Sequence, residues 1–369
     1  MALDWAKAFD SIAPDALITA LRRFGLPDPF CEIVSQIYSC RSFFVEECGV
    51  ESQRRTQYSG ISQGCPLSPY LFVILMSVVL GDAQQLLRDV YGIALSSDDI
   101  NELIYADDTL LVGSDAAVVG RYLACIVEIG LANGLEMNWN KVEVMSVKCS
   151  SPLVRPDGQA LTPKDSFVYL GSQLSANGDV NSELARRLGM AQADFNSIHQ
   201  VWCHSGLCPR QKYDIYIACI VSKLLYGLHV IWPNQAARNK LDAFHARCMR
   251  RILGVAPSFF SRVSNSEVLH KIGAPKLSRI LLERQLGFFG TLARRQDTCP
   301  VRNFVFGPQL ARKSVDYKRR RGRPNLEWVS EMFKVVDHIF VNRESFHACI
   351  LNKQAWRSTV RDYCRRQSQ

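Results

Sequence analysis

Two aspartates stand side by side at Asp107-Asp108, between the short apolar runs 103–106 and 109–113. Adjacent side chains on a strand point to opposite faces, so two neighbouring aspartates cannot both be buried cheaply, whereas a turn lets both approach one cation. The two runs therefore predict a hairpin with the carboxylates at its tip. A third carboxylate, Asp4, ends another apolar stretch just before a helix. If that stretch neighbours the hairpin, three carboxylates converge, and such a cluster repels itself unless a divalent cation neutralises it. The chemistry that follows is phosphoryl transfer, with two Mg2+ ions about 4 Å apart clamping the attacking and leaving oxygens. A lone Asp-Asp pair is more often a solvated turn, and Asp98-Asp99, after Ser96-Ser97, is read that way. A second feature is Ser62-Gln63-Gly64-Cys65-Pro66-Leu67-Ser68-Pro69, where Gly64 allows close backbone approach, Gln63 offers a planar amide and Pro66 starts a helix. By itself it is a turn entering an apolar helix.

The elements that must position these groups follow from periodicity. Helices are predicted over 10–24, ended by Gly25, and over 27–38; paired strands over 42–47 and 53–58; a long apolar helix over 66–90; and an amphipathic helix over 116–133. A strand is expected over 142–148, a loop over 151–164 and a short strand over 167–171. From there the pattern is helical, at 183–202, 210–231, 235–253 and 275–296, followed by a basic linker over 313–324 and a last helical piece holding Trp328, Phe333, Trp356 and Tyr363.

Order and spacing sharpen this. The segments Leu3 to Ile12, Gln63 to Phe72, Tyr105 to Asp108, Gly134 to Lys141 and Phe167 to Gly171 resemble motifs A, B, C, D and E of a reverse transcriptase palm, specifically of the non-LTR (LINE-type) retrotransposon family, in that family's order. The resemblance is strong over about residues 1–175 and looser beyond. It implies an α+β fold: a right-hand polymerase palm, an antiparallel sheet with packed helices, over 1–175, then an α-helical thumb over 176–260 and a basic helical connector over 261–369. It implies RNA-directed DNA polymerase activity on an RNA template, a DNA primer or target and dNTPs, with two Mg2+ ions, or Mn2+, as cofactors. Carried over by position, Asp4, Asp107 and Asp108 are the catalytic metal ligands. Phe9 is the steric gate under the incoming sugar, Gln63 and Gly64 touch the nascent base pair and template, and Tyr105 packs beside the catalytic turn. Lys141 serves the pyrophosphate, Leu170 and Gly171 grip the primer, and Asp10 orients its helix. Ser62 stands where the family often has Arg, and Val142 where Thr is usual. The sequence starts at motif A, so a truncated copy lacking fingers and endonuclease, weak or inactive by itself, is expected. The alternative is a catalytically dead, retroelement-derived nucleic-acid-binding protein. An RNA-directed RNA polymerase shares the palm, but Phe9 argues against it because ribose needs a small or polar residue there.

Composition is consistent with this. The chain has 369 residues, 47% hydrophobic and 21% charged, enough for two or three domains and unlike disordered, collagen-like or disulfide-scaffold proteins. Residues 1–150 carry 10 basic against 19 acidic side chains, a net of −9, and residues 151–369 carry 34 against 16, a net of +18. That asymmetry suggests a nucleic-acid partner. The run Lys318-Arg319-Arg320-Arg321-Gly322-Arg323-Pro324 resembles a minor-groove AT-hook core and is read as a phosphate-contacting linker, and Arg186-Arg187, Arg247, Arg250-Arg251, Arg294-Arg295 and Arg365-Arg366 as a basic face. The 13 cysteines show no regular spacing, Cys203, His204, Cys208, His347 and Cys349 lack zinc-finger spacing, and there is no secretory signal. The expected location is intracellular, nucleus or cytoplasm, with no membrane partner: the apolar run 67–80 is shorter than the roughly 20 residues of a spanning helix.

Overall fold

A computed structural model describes residues 1–95, 102–149, 151–204, 206–312 and 327–366. Asp98-Asp99 and the basic run 318–324 lie outside the described residues. The chain divides into two compact units, one of Met1–Leu170 with Ser175–Asn177 and one of Gly171–Leu174 with Gly178–Gln369.

The first unit runs β1 (Ala2–Leu3), α1 (Ala8–Ser11), α2 (Pro14–Phe24), α3 (Asp28–Tyr38), β2 (Ser42–Phe43), β3 (Glu46–Glu47), β4 (Val50–Glu51), β5 (Arg55–Thr56), α4 (Ser68–Tyr91), β6 (Glu102–Tyr105), β7 (Asp108–Leu111), α5 (Ala116–Ala132), β8 (Leu153–Val154), β9 (Ala160–Leu161) and β10 (Ser166–Tyr169). Its central sheet is antiparallel in the order β1-β7-β6. Helix α4 lays Leu71, Phe72, Leu75, Met76, Val79, Leu80, Ala83 and Leu87, spaced three and four apart, into the core between α2 and α5. Burying a side chain of this size stabilises by roughly 1.5–3 kcal/mol, so that stripe fixes the helix under the sheet. By length and composition alone α4 could cross a membrane. Its end is set by Gly92 at φ 66, whose N–H bonds the carbonyls of the last turn.

Three expectations shift here. The helix predicted over 10–24 is two helices, because Pro14 requires an extended Ala13 (φ −71, ψ 127) and then opens α2. Residues 142–148 are not a strand: only Glu143 and Val144 bridge, to Ala2 and Pro163, because the two-residue β1 leaves no longer edge to pair with. The loop over 151–164 contains the small hairpin β8–β9, closed by the turn at Gly158.

The division between the units falls in the hairpin of β10 and β11 (Ser172–Ser175). The second unit is helical: α6 (Val180–Ser197), α7 (His199–Cys203), α8 (Pro209–Tyr216), α9 (Ser222–Leu224), α10 (Gln235–Leu253), α11 (Ser258–Ser261), α12 (Asn265–Ile272), α13 (Leu277–Ala293), α14 (Pro300–Val305), α15 (Trp328–Ile339), α16 (Arg343–Leu351) and α17 (Lys353–Arg366). The helix predicted over 210–231 is broken by a π-helical turn at Ile217–Val221 and by Gly227 at φ 74. Two apolar clusters fill the unit, one from Leu184 to Leu281 and one from Leu286 to Cys364. Trp202 and Trp356 are buried in them as core residues.

Candidate active site

Strand register builds the acidic site. Leu3 pairs with Thr109 and Tyr105 with Asp108. One step further, Asp4 stands opposite Asp108, so Asp4, Asp108 and Tyr105 form a row across three strands. Alternation puts that row on the face opposite Leu3 and Thr109, which are 2% and 0% exposed. Ala106 and Asp107 make the connecting turn, with Ala106 at φ 55, a left-handed conformation that non-glycine residues adopt mainly where the surrounding structure demands it. The Asp108 carboxyl is held above the usual carboxylate range, first by burial, then by the negative charges of Asp107 and Asp4, with Lys141 opposing.

Asp4 has partners that residue spacing did not single out. Asn138 donates its Nδ2 to Asp4 Oδ2 at 3.0 Å, and Lys141 Nζ lies 3.4 Å from the same oxygen. The backbone makes this possible: Asn138 N donates to Asp4 O at 2.8 Å and Ala6 N to Glu136 O at 2.8 Å, so the 136–138 segment runs beside Asp4. A turn in which Lys141 N bonds Asn138 O then brings both side chains back to one carboxylate. The sequence signal was there, an Asn three residues before the motif D lysine, but a turn asparagine looks the same.

Carboxylates are the hard oxygen donors that Mg2+ takes, and the repulsion felt at Asp108 is what a cation relieves, so the donor set fits. The expected convergence is nevertheless partial. Among the described residues no three Asp, Glu, His or Cys side chains stand together as a metal-holding group. Asp4 is bonded to its amide and ammonium partners.

The neighbouring loop is stitched to α1. Gly60 N donates to Ile12 O at 2.8 Å, Ile61 N to Phe9 O at 2.6 Å, and Ser59 Oγ to Asp10 O at 2.8 Å. Gly60 sits at φ 91, and a Cβ there would lie 2.8 Å from Asp10 Cα, so this approach requires glycine. Phe9 stacks on Phe72, ring centroids 4.5 Å apart and 15° from parallel, and keeps one side partly exposed. Gln63 and Gly64 are exposed on the loop, and Gln63 Nε2 reaches Asp10 Oδ1 at 3.3 Å. Asp10 thus holds the loop. Tyr105 flanks the turn, paired with Asp108, and is 66% exposed.

A Pol polyprotein from the type-1 retrotransposable element R2 of Popillia japonica is 27% identical over 258 residues, 66% of this chain and 34% of the relative. A transposon-derived protein of Caenorhabditis elegans is 23% identical over 64% of this chain and 86% of its own length. The Pol polyprotein of element R2DM from Drosophila melanogaster is 26% identical over 51% of this chain and 18% of the relative. The family described as reverse transcriptase (RNA-dependent DNA polymerase) matches residues 1–174. Residues 1–174 thus match the reverse transcriptase family, and the relatives they resemble are Pol polyproteins of R2 retrotransposable elements. The chain spans about a third of the Popillia relative's length. A telomerase structure from Candida albicans aligns over 79% of this chain and 48% of its own at 11% identity and a TM-score of 0.30, too slight to carry an argument.

The remaining residues singled out in the sequence are placed as follows. Leu170 and Gly171 form the two-residue turn between β10 and β11, both at positive φ (45 and 75). Tyr169 Oη donates to Leu103 O at 3.3 Å, which sets β10 beside the β6–β7 hairpin. Arg319, Arg320, Arg321 and Arg323 lie outside the described residues. The basic face is smaller than expected. Arg187 and Arg250 are buried: Arg187 bonds Glu183, Gly171 O and Lys223 O, and Arg250 bonds Val263 O, Ala256 O and Asn265. Arg247, Arg251, Arg295, Arg365 and Arg366 are exposed.

Proposed function

We propose that the chain carries out RNA-templated addition of deoxynucleotides to a DNA 3′-hydroxyl. The observation that carries this reading is the register that puts Asp4 opposite Asp108 beside the Asp107 turn. Asp4, Asp107 and Asp108 would hold two divalent ions, Mg2+ or Mn2+. When bound, such ions neutralise charge at the reacting phosphate and lower the pKa of the attacking hydroxyl. Phe9, fixed from behind by Phe72, presents a ring edge where a 2′-hydroxyl would sit. Gln63 and Gly64 meet the nascent base pair and template from the exposed loop. Lys141 carries a proton and a positive charge toward the departing pyrophosphate, and the tip at Leu170 and Gly171 holds the primer end. The helical unit and the basic run with Arg319, Arg320, Arg321 and Arg323 contact phosphates of the template–primer.

The test is primer extension on an RNA template with Mg2+ or Mn2+, using the chain and its Asp107→Ala and Asp108→Asn variants. The expected result is weak dNTP incorporation that requires template and metal and disappears in both variants, because a shared metal ligand is lost. Nucleic-acid binding with no incorporation by the unaltered chain would instead establish the binding-protein alternative.

A further inference from the structure

Arg41 lies outside all five motifs, between α3 and β2. Its guanidinium rests over the buried Tyr38 ring, 4.3 Å from the centroid. Nη2 donates to Gly60 O at 2.5 Å and Nη1 to Ser62 Oγ at 3.0 Å. Its own carbonyl accepts from Gln57 N at 2.8 Å. The loop it grips is the one that bonds α1 through Ile61 to Phe9, Gly60 to Ile12 and Gln63 to Asp10. Gly60 is therefore held from both sides, its N–H by Ile12 and its carbonyl by Arg41. From the far side, Ser68 Oγ donates to Ser62 O at 2.6 Å, anchoring the same loop to the start of α4.

We infer that Arg41 is a positioning residue for nucleotide selection. It clamps Gly60 and Ser62 so that the backbone carrying Phe9 and the loop carrying Gln63 keep one spacing, and sugar discrimination depends on that spacing. A fork is needed because the two acceptors diverge from a carbonyl to a hydroxyl, and a planar guanidinium presents paired donors in a rigid geometry that an ammonium cannot. The inference rests on the polymerase reading above, since it names what fixes the sugar gate of that site.

The experiment measures binding of unlabelled dATP and ATP, with Mg2+, by isothermal titration calorimetry to the full chain on an RNA template carrying a dideoxy-terminated DNA primer. Circular dichroism and thermal unfolding are run in parallel. The unaltered chain is expected to prefer the deoxynucleotide. In Arg41→Ala that preference should fall by roughly 10- to 100-fold, the loss typical of a displaced positioning contact. Template–primer affinity should stay unchanged. Arg41→Lys and Ser62→Ala, which each keep one of the two contacts, should give intermediate preferences, and they decide the matter if Arg41→Ala does not fold. A preference unchanged in all three variants overturns the inference and leaves the polymerase reading standing. Weaker binding of both nucleotides in equal measure, with lowered unfolding temperature, also overturns it, because Arg41 then only supports the fold. An unaltered chain that binds neither nucleotide overturns the polymerase reading, and the inference falls with it.

Discussion

At the scale of single residues, Asp4 has two donors that act differently. The Asn138 amide fixes which way the carboxylate faces, whereas the Lys141 pair is weak because the Lys141 side chain is 67% exposed and screened by water. Asn138→Ala should therefore raise the Mg2+ concentration needed for half-maximal extension by about 10- to 100-fold, the usual penalty for losing a group that orients a metal ligand. Lys141→Ala should move that midpoint far less. Equal shifts in a Mg2+ titration of the two variants would mean that the amide does not orient Asp4. Phe9→Val removes the ring but keeps an apolar side chain against Phe72, so ribonucleotide incorporation should rise relative to deoxynucleotide incorporation. An unchanged ratio would make Phe9 a core residue only. The three aspartates were legible in the sequence because their type, spacing and apolar flanks are unusual together. Asn138 and Arg41 were not, since their partners are a carboxylate 134 residues away and a carbonyl 19 residues away, and a contact of that range leaves no local mark.

At the scale of elements, periodicity found α4 and α5 because each has a continuous buried stripe, and it failed where a proline, a π-helical turn or a two-residue strand decided the outcome. Close packing between elements was equally hidden. A Cβ on Gly130 of α5 would lie 2.8 Å from the Trp5 ring, beside Asp4. Gly130→Ala should destabilise the chain by about 1–3 kcal/mol by overpacking and depress extension as well. Gly81→Ala in α4 meets nothing within 4 Å, so it should stabilise by about 0.5–1 kcal/mol through helix propensity alone. Urea unfolding of both variants checks the pair, and a shift of the same sign in each would refute the packing argument. In α10, His245 is fully buried beside the Tyr216 hydroxyl, 3.1 Å away, and burial pushes its pKa down from 6.5 to about 4. The folded chain keeps this ring neutral while the unfolded chain protonates it below its ordinary pKa. The contribution is thus intact above pH 6.5 and lost progressively as pH falls toward 4, by roughly 3 kcal/mol in all. His245→Gln, which cannot take up that proton, should flatten the unfolding free energy between those pH values.

At the scale of the whole molecule the charge is divided, net −9 over residues 1–150 and +18 over 151–369. Composition alone overstates how much of the positive charge faces a polyanion. Arg187 is committed to Glu183 and backbone carbonyls, and Arg250 to the loop before α12, so neither is free for phosphate. Arg247 and Arg251 are one helical turn apart on the exposed side of α10, and Arg295, Arg365 and Arg366 are also exposed. Each arginine that neutralises a duplex phosphate releases counterions and adds about −0.9 to the slope of log affinity against log salt. Five such contacts contribute roughly −4 to −5 to the slope for the full chain on duplex DNA of any sequence, and contacts by the basic run with Arg319, Arg320, Arg321 and Arg323 would add to it. Arg247→Ala with Arg251→Ala should make that slope shallower by about 2 and weaken binding alike on different sequences. Arg250→Ala should instead lower the unfolding temperature, because the Ala256 and Val263 carbonyls it satisfies are left as acceptors without a donor. Fluorescence anisotropy with two unrelated duplexes across a salt series separates these outcomes. A slope near zero would mean that the exposed arginines are only solvated, and a slope unaffected by the Arg247 and Arg251 changes would move the binding surface away from α10.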